Sequence, residues 1–65
     1  MKHSVLTINK AGKVVYENLH KTAETAYEEY EKNIVLVKKF IKKGEELTVV
    51  RMNDGQVMTM ETIKA

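Results

Sequence analysis

Hydrophobic and polar residues alternate over residues 4–9, Ser-Val-Leu-Thr-Ile-Asn, and again over 13–19, Lys-Val-Val-Tyr-Glu-Asn-Leu, with Lys10-Ala11-Gly12 between the two runs. A period of two in segments rich in β-branched residues predicts the strands of a β-hairpin. A type I turn beginning at Asn9, with Gly12 in a left-handed bulge position, pairs Asn9 with Lys13, Ile8 with Val14, Thr7 with Val15 and Leu6 with Tyr16. That register groups Leu6, Ile8, Val14 and Tyr16 on the face expected to turn inward. Val5, Thr7, Asn9, Lys13, Val15 and Glu17 are left for solvent, as in an antiparallel sheet covered on one side.

From Thr22 the period changes. Ala23, Ala26, Tyr27, Tyr30, Ile34, Val37, Phe40 and Ile41 recur at three- and four-residue steps, which predicts an amphipathic helix over 22–43. Thr22 is its expected N-cap, and the early glutamates, late lysines and Gly44 suit the helix macrodipole and a glycine stop. The β-branched run Ile34-Val35-Leu36-Val37 also fits a buried strand after a shorter helix over 22–33, and one continuous helix is the reading adopted. At ~1.5 Å per residue a 22–43 helix is on the order of 33 Å long, more than six- or seven-residue strands cover at ~3.3 Å each. The overhang, with Val35 and Leu36 off the main apolar stripe, predicts a homodimer in which Val35, Leu36 and Phe40 mediate self-association.

Beyond Gly44, residues 47–52 and 56–63 flank Asn53-Asp54-Gly55, a second hairpin signal. A two-residue Asp54-Gly55 turn places Leu47, Val49, Met58 and Met60 on one face, whereas a bulged turn groups Val50, Met52, Met58 and Met60. The expected architecture is α+β, in the order ββαββ. Two β-hairpins form a four-stranded antiparallel sheet with one long amphipathic helix on one face, all within a single small domain, 1–65.

Composition narrows the function. With 65 residues and neither cysteine nor proline, the chain has no disulfide or cysteine-zinc reinforcement, which leaves tight packing and oligomerisation. Its 43% hydrophobic content sets it apart from disordered chains. No apolar stretch is long enough to span a membrane or to serve as a secretory signal, so no membrane partner is expected and the cytoplasm is the expected compartment. Eleven Lys plus Arg against nine Asp plus Glu give a net charge of +2, short of a dedicated nucleic-acid binder.

Catalytic candidates are sparse. His3 and His20 come together at one end of the first hairpin and could take a metal with Glu17 or Glu24, but their spacing follows no ligand pattern, and a mobile terminal histidine and a solvated strand-end histidine are the expected roles. Glu24, Glu28 and Glu31 make a helical stripe that reads as a solvated face, with Glu28 and Lys32 an ordinary i,i+4 pair. Gly12 and Gly55 are isolated turn glycines, and Ser4 lies in no nucleophile-elbow sequence. No enzyme activity, cofactor, metal or small-molecule substrate is expected.

Binding is the better expectation. Lys38, Lys39, Lys42 and Lys43 surround Phe40, and with Arg51 they are the residues expected to contact an acidic protein partner or, as the alternative, nucleic-acid phosphates. With Tyr16 expected inward, the sheet lacks the aromatic platform of single-strand binders, so a protein partner is favoured. Met52, Met58 and Met60 are expected as gap-filling core, although methionine also suits adaptable interfaces. As a whole the composition, short, rich in Lys, Glu, Ile and Asn and free of Cys and Pro, resembles that of small accessory proteins encoded by bacteria and their phages. The resemblance implies a regulator or inhibitor that acts by occupying a host protein's surface.

Overall fold

The computed structural model describes residues 2–65. Strands β1 (His3–Asn9) and β2 (Val14–His20), helix α1 (Ala23–Phe40), and strands β3 (Glu46–Asn53) and β4 (Gln56–Lys64) follow one another along the chain. The strands form one antiparallel sheet in the order β2-β1-β3-β4, with α1 across one face, so the expected ββαββ architecture is observed.

Both turns have the backbone that their residues prefer. Gly12 has a φ of 85° and its amide donates to the Asn9 carbonyl at 2.9 Å. The Asn9 side chain accepts from the amides of Ala11 and Lys13 at 3.0 and 2.9 Å, closing the expected type I turn and bulge. In the second hairpin Asp54 and Gly55 have φ of 49° and 81°, the paired left-handed residues of a two-residue turn. Asp54 also ties down the start of the chain, since its carboxylate accepts from the Lys2 amide at 2.7 Å and its own amide donates to the Lys2 carbonyl at 2.8 Å.

Thr22 caps α1 as expected, its hydroxyl oxygen accepting from the Thr25 amide at 3.2 Å. Residues 34–37 are helical, which settles the choice between helix and strand. The helix stops at Phe40, three residues short of the expected end at 43, because Ile41 turns extended and lays its side chain against the core. Lys42, Lys43 and Gly44 lie in the following turn, where the Glu45 carboxylate accepts from the Lys42 amide at 2.7 Å. Eighteen helical residues span about 27 Å at ~1.5 Å each, close to the length of the eight- and nine-residue strands β3 and β4. The overhang expected of a longer helix is therefore absent.

The core lies between α1 and the sheet. Ala26, Tyr30 and Ile34, four residues apart, pack on Val5, Val49 and Ile63, with Val37 and Ile41 at the margin. This reverses the expected facing of the first hairpin: Val5 and Thr7 are buried under the helix, whereas Leu6 and Ile8 point to the other side. The register explains part of the reversal. Ile8 pairs with Val14 as expected, but a bulge leaves Val15 unpaired, so that Thr7 pairs with Tyr16 and Leu6 with Glu17. The rest follows from β1 being apolar on both faces, so that alternation by itself leaves the choice of face open.

The second hairpin combines the two expected registers. It has the two-residue turn, but a bulge between Arg51 and Met52 makes Arg51 pair with Thr59 and Val50 with Met60. Val50, Met52 and Met60 consequently share the face away from the helix, and Val49 is the residue that enters the core. Met60 is exposed and Met52 only half-buried, so neither fills the core as expected. No helix among the described residues is long and apolar enough to cross a membrane.

Candidate protein-interaction surfaces

Three regions gather the side chains that could carry a function. The first joins the edge strand β2 to the helix. Glu29 accepts hydrogen bonds from the Tyr16 hydroxyl at 2.8 Å, Asn18 Nδ2 at 3.0 Å and His20 Nε2 at 2.6 Å. Alternate β2 residues reach up to one helical carboxylate because the strand's period of two puts residues 16, 18 and 20 on the helix side. Burial pushes the Glu29 carboxyl up, but the bonds from His20, Asn18 and Tyr16 outweigh it and hold it below the ordinary carboxylate value. The same contact pushes the Tyr16 hydroxyl above its ordinary value. A carboxylate with its hydrogen-bonding capacity so filled is a latch between strand and helix, not a base poised for proton transfer.

The histidines do meet. His3 and His20 are direct cross-strand partners on the helix side, at the end of the hairpin expected to bring them together. They have separate hydrogen-bond partners, however: His3 Nδ1 lies 2.7 Å from Asn53 Oδ1, and His20 goes to Glu29 and not to Glu17. Among the described residues no three His, Cys, Asp or Glu side chains are placed to hold a metal ion.

The second region is the helix exterior. Val35, Leu36 and Phe40 are exposed, Phe40 by 67%, and Lys39 Nζ sits 5.5 Å from the centre of the Phe40 ring. Lys38 pairs with Glu61 of β4 at 3.2 Å. Arg51 is not part of this group. Its guanidinium lies 5.3 Å from the Tyr27 ring, in an open cleft lined by Ala23, Glu24 and Glu28 at the other end of the helix. Tyr27 and Lys38 are eleven residue steps apart along the helix, about 16 Å at ~1.5 Å per residue. The five expected cationic contacts are thus divided into a lysine group near the helix end and an arginine flanked by two glutamates.

The third region is the uncovered face of the sheet. Leu6 and Ile8 of β1, Leu19 of β2, Val50 and Met52 of β3 and Met60 of β4 lie on it, as their pairings with one another and the pleat require. Val50, at 3% exposed, is covered by its in-sheet neighbours alone, while Leu19 and Met60 on the outer strands are 62% and 57% exposed. Its polar features are few: Ser4 lies between Leu19 and Met52, Thr48 and Thr62 hydrogen-bond to each other at 3.0 Å, Glu17 is on the edge strand, and Glu46 and Lys64 pair at 3.7 Å at one end.

Glu29 and the apolar character of the open face both escaped the sequence reading, which expects an uncovered face but assigns it other residues. Glu29 is one of several helical glutamates, and only the strand opposite it singles it out. The open face left a trace, because Val49-Val50 and Val5-Leu6 place apolar residues on both sides of their strands. Comparisons with protein families, curated proteins and solved structures find no match to this chain.

Proposed function

We propose that this protein is a small non-enzymatic binding module that acts by occupying another protein's surface, and that the open face of its sheet is the docking surface. The observation that carries the reading is the apolar patch on the uncovered sheet face, where Leu19 and Met60 are exposed and Leu6 and Met52 half-buried around the buried Val50. Contiguous apolar surface rimmed by polar groups marks interaction sites, and methionines let such a surface adapt to its partner. The exterior of α1, with Val35, Leu36 and Phe40 beside Lys39, Lys42 and Lys43, is a second contact zone suited to an acidic protein. The reading places the protein in the cytoplasm and agrees with the accessory, regulator-like role that its composition suggests.

Nucleic acid is the alternative ligand, through Lys39, Lys42 and Lys43. It is disfavoured because Tyr16 is engaged with Glu29, which leaves the open face without an aromatic for base stacking.

The test is affinity capture with the wild type, Met60→Lys and Leu36→Glu, with and without nuclease and at two salt concentrations. A partner retained by wild type and Leu36→Glu, resistant to nuclease and lost by Met60→Lys, is the expected result. Recovery of nucleic acid alone, falling steeply with salt, would overturn the reading in favour of the alternative.

A further inference from the structure

We infer that the occupant of the open sheet face is a second copy of this chain, so that two sheets stack face to face and the two helices lie on the outside. The inference rests on the reading of that face as a docking surface and names its partner, so that the protein captured through the sheet face in the test above is a further copy of this chain.

The open face is large enough for a specific interface. Four strands ~4.8 Å apart and seven to nine residues long at ~3.3 Å per residue offer about 500 Å² of flat footprint. Two copies contribute on the order of 1,000 Å² before side-chain relief is added, which reaches what a specific interface requires. Stacked sheets lie ~10 Å apart with interleaved side chains, and the half-buried Leu6 and Ile8 beside the longer Met52 and Met60 supply the uneven relief such packing uses.

The single chain has a thin core. The described core holds seven buried hydrophobic residues, one of which, Val50, belongs to the open face and not to the cluster under the helix. Without cysteine the chain has no disulfide to reinforce so small a core, and burying more apolar area is the means left to it. A second copy is present whenever the chain is made, and it stabilises the fold by mass action.

The distribution of charge favours the same face. The chain carries a net +2, but Lys38 and Lys39 belong to the helix and Lys42 and Lys43 to the turn after it, on the other side of the molecule. The open face holds Glu17 on an edge strand and the mutually neutralised Glu46 and Lys64. Two like copies can therefore approach through this face without the repulsion that their helix sides would generate. The dimer so formed displays two lysine-bearing helix ends outward.

Sedimentation equilibrium on the full chain, from low to high micromolar, tests the inference. The expected result is a mass of twice the 7.5 kDa chain for the wild type and for Leu36→Glu, and of one chain for Met60→Lys and Leu19→Lys. Leu19 and Met60 are exposed in the single chain, so these variants should keep the wild-type circular dichroism spectrum. A monomeric wild type, or a dimer broken by Leu36→Glu and untouched by the sheet variants, overturns the inference. Intermolecular NOEs in a mixture of labelled and unlabelled wild type give a readout that needs no variant: contacts from the Met52 and Met60 methyls to the partner copy are expected, and their absence in a dimer counts against the face. If the wild type is monomeric yet loses a captured partner on Met60→Lys, the docking reading survives and the second copy does not. If that capture is also indifferent to Met60→Lys, both fall.

Discussion

His20 Nε2 and Glu29 Oε1 lie 2.6 Å apart, and through this contact the outermost strand of the sheet is fastened to the helix. Glu29 takes two further bonds from the same strand, so removing its carboxylate strands three donors at once. Glu29→Ala is expected to cost about 1–3 kcal/mol in urea denaturation, the usual penalty for a partly buried group left unsatisfied. A loss below about 0.5 kcal/mol would show that β2 is held by its pairing with β1 alone.

The same site sets a pH dependence with two limbs. The Glu29 carboxyl is held below its ordinary 4.5, so its contribution is present above that pH and is lost as pH falls through the lowered folded value. The Tyr16 hydroxyl, chiefly through its bond to Glu29, is raised above 10.0, so its contribution is present below that pH and is lost as pH rises through the raised value. The stability gap between wild type and Glu29→Gln should therefore close on acidification below about 4.5. Tyrosine absorbance should show two groups titrating late, Tyr16 through Glu29 and Tyr27 through Glu31, of which only Tyr16 moves back toward the ordinary value in the variant. Parallel stability profiles for the two proteins would contradict the assignment.

Ile34 and Val35 are neighbours in sequence with opposite environments, 7% and 63% exposed. Ile34→Ala is expected to cost about 2–5 kcal/mol and Val35→Ala no more than about 0.5 kcal/mol. For a chain of this size the first loss approaches the whole stability, at ~0.05–0.15 kcal/mol per residue, so its thermal transition should move below room temperature or vanish. Similar effects at both positions would be incompatible with a helix packed on one side.

Gly55 has a φ of 81° next to Asp54 at 49°, the conformation that fixes the second hairpin's two-residue turn. A Cβ at Gly55 meets no atom, so the cost of Gly55→Ala is purely conformational, about 1–2 kcal/mol. Chemical denaturation would measure it, with an unchanged m-value expected because the folded surface is unaltered.

Lys39 and Lys42 lie on either side of the helix end and are exposed. Reversing both to Glu should leave the urea midpoint within about 0.5 kcal/mol of wild type. It should also abolish whatever retention the protein has on a polyanionic resin. Retention that survives the double reversal would move the acidic-partner contact elsewhere, with the Arg51 cleft as the next place to look.

The sequence by itself determined the element order, the positions of both turns, the Thr22 cap and the helical stripe of Ala26, Tyr30 and Ile34. These depend on interactions within a few residues: a glycine where φ must be positive, a hydroxyl three residues before an orphan amide, an apolar side chain each turn. It did not determine which side of the sheet the helix would cover. β1 and β3 are apolar on both faces, so Val5 against Leu6 and Val49 against Val50 are equivalent to any local rule. Tertiary structure decided between them by way of the bulges at Val15 and in β4, and by bringing Tyr16, Asn18 and His20 beneath Glu29. The same choice divided Arg51 from the lysines and left Leu6, Val50, Met52 and Met60 on the outside. One helix can cover only one face of a sheet, so in a chain with two apolar sheet faces the exposed surface is defined by long-range pairing that no window of neighbouring residues contains.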